Sequence, residues 1–305
     1  MRMTIEGKRE FVKMHYTGTI YRPPAEAKTV LLQVTVGCSH DCCTFCSMYK
    51  DVPFRIEPIE QIEEDLKEVL DLQPNAERVY LVGGDPFVLS FEQLKLIAEK
   101  IKEYLSHCKT ISMYARITNI KSKTTEELKT LRFLGINQLY IGIETGHNET
   151  LTRIHKGNTA EEAVVQCKRL EEAGIEYHAI YLNGLAGHTR GEISALETAK
   201  FFNQLKPRSI GITSLTLIPG TELYEQKLKG EFVEANEFER VQELKCFIEH
   251  LETNTKVFAN HVSIATPVVG KIPKDRSKML KVLQDTIDDF DEDELRQYRE
   301  QLKRL

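Results

Sequence analysis

Four of the seven cysteines crowd into one short stretch, GCSHDCCTFCSMYK, as Cys38, Cys42, Cys43 and Cys46. Thiolates are soft ligands that select iron–sulfur clusters, zinc or Cu(I). Structural zinc usually takes a CxxC knuckle and a second, separated pair of ligands. One CxxC is present here (Cys43, Cys46) and no second knuckle follows it. His40 and Cys38 would complete a zinc site only if the loop folded sharply back. Read alone, these cysteines fit an iron–sulfur cluster, a zinc ion, or a structural or redox role. Cys108, Cys167 and Cys246 are isolated and add no second ligand group.

The surrounding elements place that loop. TVLLQVTV (29–36) is β-branched and apolar and too short for a typical helix, so it predicts a strand running into the cysteines. IEQIEEDLKEVLDL (59–72) carries apolar residues at helical spacing. RVYLVGG (78–84) reads as a buried strand. SFEQLKLIAEKIKEYL (90–105) reads as a helix capped by Ser90. TISMYARIT (110–118) precedes TTEELKTLRFLG (124–135), a helix with a capping signal and a terminal glycine. QLYIGIE (138–144), IEYHAIYLNGL (175–185) and SIGITSLTLIPG (209–220) complete six strands, with helices over 159–174 and about 192–205. Residues 237–251 read as helix, 257–269 as extended, and 274–305 as a polar helical tail.

Strand–helix alternation implies parallel pairing with right-handed crossovers. Six units predict an α/β fold, a partial open (β/α)6 TIM-like barrel with a C-terminal helical extension. The expected domains are an N-terminal arm (1–28), the barrel (29–220) and a mainly helical extension packing on it (221–305). Chemistry in such barrels gathers at the C-terminal ends of the strands. The cysteine loop, the GGDP turn (83–86), Arg116 and Glu144 all fall at such ends.

With that context the segment GCS-x-x-x-C-T-F-C-S-M-Y resembles the radical S-adenosylmethionine (SAM) superfamily, in an uncharacterised bacterial subgroup near the methylthiotransferase and elongator-type proteins. The usual signature there is C-x3-C-x2-C with an aromatic before the last cysteine. Phe45 and Cys46 match that ending, while four residues separate Cys38 from Cys43. The resemblance implies a [4Fe-4S] cluster on Cys38, Cys43 and Cys46, with one iron left open for S-adenosyl-L-methionine. Cys42 could replace Cys43, which would give the usual first gap but lose the CxxC.

The same resemblance assigns the SAM contacts. Gly83, Gly84 and Asp85 stand where the family has a GGE-like motif that accepts hydrogen bonds from the SAM ammonium; alone, GGDP reads as a strand-to-helix turn. Glu144 would accept hydrogen bonds from both ribose hydroxyls. Arg116 could pair bidentately with the SAM carboxylate, or form an ion pair with Glu144 or Asp85, and Lys156 competes for that carboxylate. Phe45, Leu217 and Ile218 are expected against adenine. The likeness spans about 29–224 and continues weakly through 259–275, where His261 could reach a substrate or be structural.

The implied reaction is reductive cleavage of SAM to a 5′-deoxyadenosyl radical, which then abstracts hydrogen from a substrate. Rival readings are a zinc or iron–sulfur protein without turnover, and a coproporphyrinogen-dehydrogenase-like or tRNA-modifying enzyme. The formal charge of −5 argues against a general polyanion-binding surface. A small-molecule substrate is therefore expected, with flavodoxin or ferredoxin as electron donor and nucleic acid disfavoured. The N-terminus lacks the apolar stretch of a secretory signal, and no run approaches the ~18 apolar residues of a membrane span. The expectation is a cytoplasmic protein without a membrane partner.

Overall fold

A computed structural model describes residues 14–301. Residues 1–13 of the expected arm and 302–305 of the expected tail lie outside the described part. The first elements are β1 (Val30–Gln33), β2 (Thr35–Val36), β3 (Arg55–Ile56), α1 (Ile59–Leu72), β4 (Arg78–Val82) and α2 (Phe91–Tyr104). There follow β5 (Thr110–Ala115), α3 (Ile117–Lys121), α4 (Thr125–Phe133) and β6 (Ile136–Glu144). Next come α5 (Asn148–Arg153), α6 (Ala160–Ala173), β7 (Glu176–Asn183), α7 (Gly191–Phe202) and β8 (Ser209–Ser214). The chain continues with α8 (Glu222–Leu228), α9 (Glu237–His250), β9 (Lys256–Ala259), β10 (Val268–Lys271), α10 (Arg276–Asp289) and α11 (Glu292–Glu300). An eight-stranded sheet runs in the order β1-β4-β5-β6-β7-β8-β9-β10, and β2 pairs with β3 separately. The chain divides into two compact units, one built on residues up to Asp41, Met48–Tyr140 and Glu172–Glu176, the other on Cys42–Ser47, Ile141–Glu171 and Tyr177 onward.

In the first unit β1, β4 and β5 are parallel, with Leu31 opposite Tyr80 and Tyr80 opposite Ser112. Because side chains alternate along a strand, Leu31, Tyr80, Val82, Tyr114 and Tyr140 gather on one face with Ile20. Helix α2 buries Leu94, Ile97, Ala98 and Ile101, one stripe at helical spacing. Burial of Leu94, Ile97 and Ile101 contributes roughly 1.5–3 kcal/mol each. Ser90 and Gln93 form a reciprocal capping box on α2, as Thr124 and Glu127 do on α4. The expected strand 29–36 is broken at Val34, whose N–H bonds Val82 O, after which Thr35–Val36 turns to pair antiparallel with β3.

In the second unit β7, β8 and β9 are parallel and β10 runs antiparallel to β9. The C-terminal region therefore adds two strands to the six expected. In β9, Val257 and Ala259 are buried while Lys256 and Phe258 are exposed, the alternation of a half-buried strand. Helix α9 is capped by a box of Asn236 and Glu239 and packs against α7 and α10.

Candidate active site

The first unit holds Cys38, Gly83, Gly84, Asp85 and Arg116. Gly84 N–H donates to Gly37 O at 2.8 Å, pressing the GGDP turn onto the start of the cysteine loop. A Cβ on Gly84 would lie 2.7 Å from both Cys38 Cβ and Gly37 O. Only a residue without a Cβ permits this approach. Gly83 has φ +151°, and a Cβ there would stand 1.9 Å from Thr35 Oγ1.

Asp85, 1% exposed, directs its carboxylate into the protein. It accepts from Ser39 N at 2.9 Å, Ser39 Oγ at 2.6 Å and Asn119 Nδ2 at 3.4 Å. Asn119 Oδ1 in turn accepts from Arg116 N at 2.7 Å, fixing the start of α3. Buried Lys123 donates to Phe87 O at 2.8 Å and lies over the Phe87 ring, a second tie between α3 and the turn. Burial, then the neighbouring Asp85, pushes the Cys38 thiol up to about 11, with Arg116 acting in the opposite direction.

The second unit holds Cys43, Phe45, Cys46, Glu144, Lys156, Leu217 and Ile218. Cys46 N–H closes a turn onto Cys43 O at 3.1 Å. Thr44 anchors the turn, its N–H bonding Ile154 O at 3.2 Å and its carbonyl accepting from Leu223 N at 2.8 Å. Cys43 and Cys46 are half-buried and Cys42 is exposed. Phe45 is half-buried as well.

Glu144 ends β6 at φ +65°, a left-handed conformation that costs roughly 1–2 kcal/mol for a residue with a Cβ. Its buried carboxylate accepts from Lys156 Nζ at 2.8 Å. A Cβ on Gly142 would meet Glu144 Oε1 at 2.3 Å and Lys156 Nζ at 3.0 Å, so the ion pair lies over that glycine. The next residues are tied to α7. Thr145 Oγ1 lies 3.1 Å from Ser194 Oγ and 3.0 Å from Thr198 Oγ1, and Gly146 N–H donates to Thr198 Oγ1 at 2.9 Å.

Helix α9 braces the ends of β7 and β8. Arg240 donates to Ser214 Oγ at 3.1 Å and Leu215 O at 3.0 Å, while Asn183 Nδ2 donates to Arg240 O at 3.0 Å. Glu243 accepts from Tyr181 OH at 2.7 Å and Gly184 N at 3.0 Å. Complete burial raises its carboxyl to about 7 against the pull of those hydrogen bonds and of Arg240. Leu217 and Ile218 follow on the braced loop, both half-buried, and Ile218 O accepts from Thr221 N and Oγ1. His261 Nδ1 lies 2.8 Å from Ser263 Oγ, which accepts from Ser214 N, a structural setting for that histidine.

The structure thus joins Cys38 to the GGDP turn and, through Asn119, to Arg116. Separately it joins Glu144 to Lys156 and Cys43 to Cys46. Among the described residues no three Cys, His, Asp or Glu side chains are gathered as a metal-holding group. The donor chemistry suits a cluster, with half-buried thiols at Cys38, Cys43 and Cys46 and an exposed one at Cys42. Ser39, Asn119, Thr198, Arg240 and Glu243 escape sequence reading, because nothing local marks a side chain whose partner lies dozens of positions away.

Residues 32–199 match the family model for the Radical SAM superfamily. The chain belongs to that superfamily. It is 26% identical over 201 residues to the heme chaperone HemW of Bacillus subtilis, covering 63% of this chain and 52% of that protein. The chain spans about half the length of the HemW proteins it matches. Two solved structures share its fold. One is coproporphyrinogen III oxidase (HemN) from Escherichia coli, with TM-score 0.55 and 17% identity over 76% of this chain and 54% of that one. The other is Elp3 from the archaeon Methanocaldococcus infernus, with TM-score 0.53 and 16% identity over 85% and 63%. The expected α/β partial barrel is borne out, and so is the expected place in the superfamily: the chain is also 26% identical over 147 residues to the tRNA uridine(34) acetyltransferase of Methanocaldococcus jannaschii, covering 48% of this chain and 27% of that protein. Proteins of that superfamily bind a [4Fe-4S] cluster and SAM, and these are the chain's cofactors. No described helix is long and apolar enough to cross a membrane.

Proposed function

We propose that this enzyme binds its cluster through Cys38, Cys43 and Cys46 and cleaves SAM reductively to act on a small molecule. The observation that carries the reading is the contact of Gly84 with Cys38, which sets a backbone turn with no side chain in the way against the first thiol of the loop. When bound, the cluster and SAM supply a 5′-deoxyadenosyl radical that takes a hydrogen atom from the substrate.

The chain's own residues bind and orient. Cys38, Cys43 and Cys46 serve as thiolates, leaving exposed Cys42 outside the set. Backbone carbonyls of the Gly83–Gly84–Asp85 turn accept from the SAM ammonium. Glu144, steadied by Lys156, receives the ribose hydroxyls. Commitment of Lys156 to Glu144 leaves the SAM carboxylate to Arg116, whose guanidinium suits bidentate pairing. Phe45 and the Leu217–Ile218 backbone flank adenine. A flavodoxin or ferredoxin supplies the electron, in a cytoplasm reducing enough to keep the thiols available.

The test is anaerobic purification and reconstitution, then incubation with SAM and dithionite and chromatography for 5′-deoxyadenosine. About four irons per chain and product that disappears in Cys46→Ala are expected. Stoichiometric zinc without iron after careful anaerobic work would sink the reading.

A further inference from the structure

We infer that Asp85 is a positioning residue, a clamp between the cysteine loop and the glycine turn, and that its carboxylate does not meet SAM. The inference rests on the SAM-site reading above and adds to it the role of this one side chain. Three hydrogen bonds already converge on the carboxylate, two from Ser39 and one from Asn119, and the residue is almost wholly shielded from solvent.

Ser39 follows Cys38 directly, so bonds to its N–H and hydroxyl fix the backbone that carries the first thiol. Asn119 also receives Arg116 N–H, so the same carboxylate links the loop to the start of α3. Gly84 adds a backbone bond to Gly37 on the residue's other side. Three chain segments far apart in sequence thereby share one anchor. Two carboxylate oxygens meeting three donors are reason enough for an acidic side chain here without a ligand cation.

Ser39→Ala, Asp85→Ala, Asp85→Asn and the Ser39→Ala/Asp85→Ala double variant separate clamp from ligand. SAM dissociation constants are measured by equilibrium dialysis on reconstituted, unreduced protein. Amide exchange of the peptide covering 37–41 is followed in metal-free protein.

A clamp predicts that Ser39→Ala and Asp85→Ala each weaken SAM binding about tenfold and speed exchange. The double variant should be no worse than Asp85→Ala, since the Ser39 hydroxyl bond is already lost with the carboxylate. Asparagine keeps an acceptor for Ser39 N–H, so Asp85→Asn should stay within about threefold of the unmodified protein. The inference is overturned if Ser39→Ala binds SAM normally while Asp85→Asn fails as badly as Asp85→Ala, the pattern of direct ammonium pairing. Should even unmodified protein not bind SAM, the SAM-site reading falls, and exchange alone decides the clamp. Faster exchange in Ser39→Ala supports it, and unchanged exchange refutes it.

Discussion

Gly84 and Gly230 show how differently two glycines are constrained. Around Gly84, Cys38 Cβ, Cys38 Cα and Gly37 O all lie within 2.8 Å of where a Cβ would be. None of these atoms is the far end of a flexible side chain. Gly84→Ala should therefore destabilise by about 1–3 kcal/mol, read as a lower urea midpoint of the metal-free protein. Gly230 has open space around it and φ +76°. Gly230→Ala should cost only the left-handed backbone strain, about 1 kcal/mol, and leave SAM binding untouched. Among the cysteines, Cys42→Ala should retain the iron content of the reconstituted protein while Cys46→Ala loses it. Loss of iron in Cys42→Ala would reverse the choice of ligand.

Two buried carboxylates, each set into a brace between elements, give opposite pH signatures. Glu243, on α9, is raised by burial to about 7 from an ordinary 4.5. Across that window the folded protein holds a proton that the unfolded chain has released, so stability falls as pH rises. The full effect is about 3 kcal/mol. Glu243→Gln should flatten the difference between urea midpoints at pH 5 and 7.5, and an unchanged difference would refute the assignment. Glu26 lies at the base of β4, β5 and β6. Burial pushes its carboxyl up, but Arg78, Thr29 and Tyr140 outweigh it and hold the group at about 2. Its contribution is present above about 4.5 and is lost as pH falls toward 2. Glu26→Gln should weaken the protein at neutral pH and blunt that acid sensitivity in the same titration.

At the scale of the whole chain, Leu295 and Arg299 of α11 are buried in the second unit. Arg299, on α11, donates to Glu237 at 2.8 Å and to Ser214 Oγ and Ser263 O. Glu237 is 1% exposed, with Arg240 and Arg296 each 3.6 Å away. Arg299→Met should destabilise by about 3 kcal/mol, because a buried carboxylate loses its nearest cation. An unaltered urea midpoint would mean that Arg240 and Arg296 suffice. Glu292 accepts from Glu237 N at 2.8 Å and Phe238 N at 3.0 Å, so α11 also caps α9, the helix that braces the ends of β7 and β8.

Local features were legible in the amino-acid sequence. The β-branched runs announce the six strands, Ser90 and Thr124 announce their helices, and the crowded thiols with the GGDP turn announce the chemistry. Each is a property of neighbouring residues, where propensity, alternation and short spacing act within a turn or a strand. Tertiary structure decided what joins distant positions. It carried β9 and β10 into the sheet, because parallel pairing with β8 exists only once the chain has returned. It broke the first strand at Val34, where a new partner takes over the hydrogen bonds. It also bound Asp85 to Ser39, 46 residues away, and Glu243 to Gly184, 59 away. A buried carboxylate must find its donors wherever the fold brings them, and that choice is written in no local pattern.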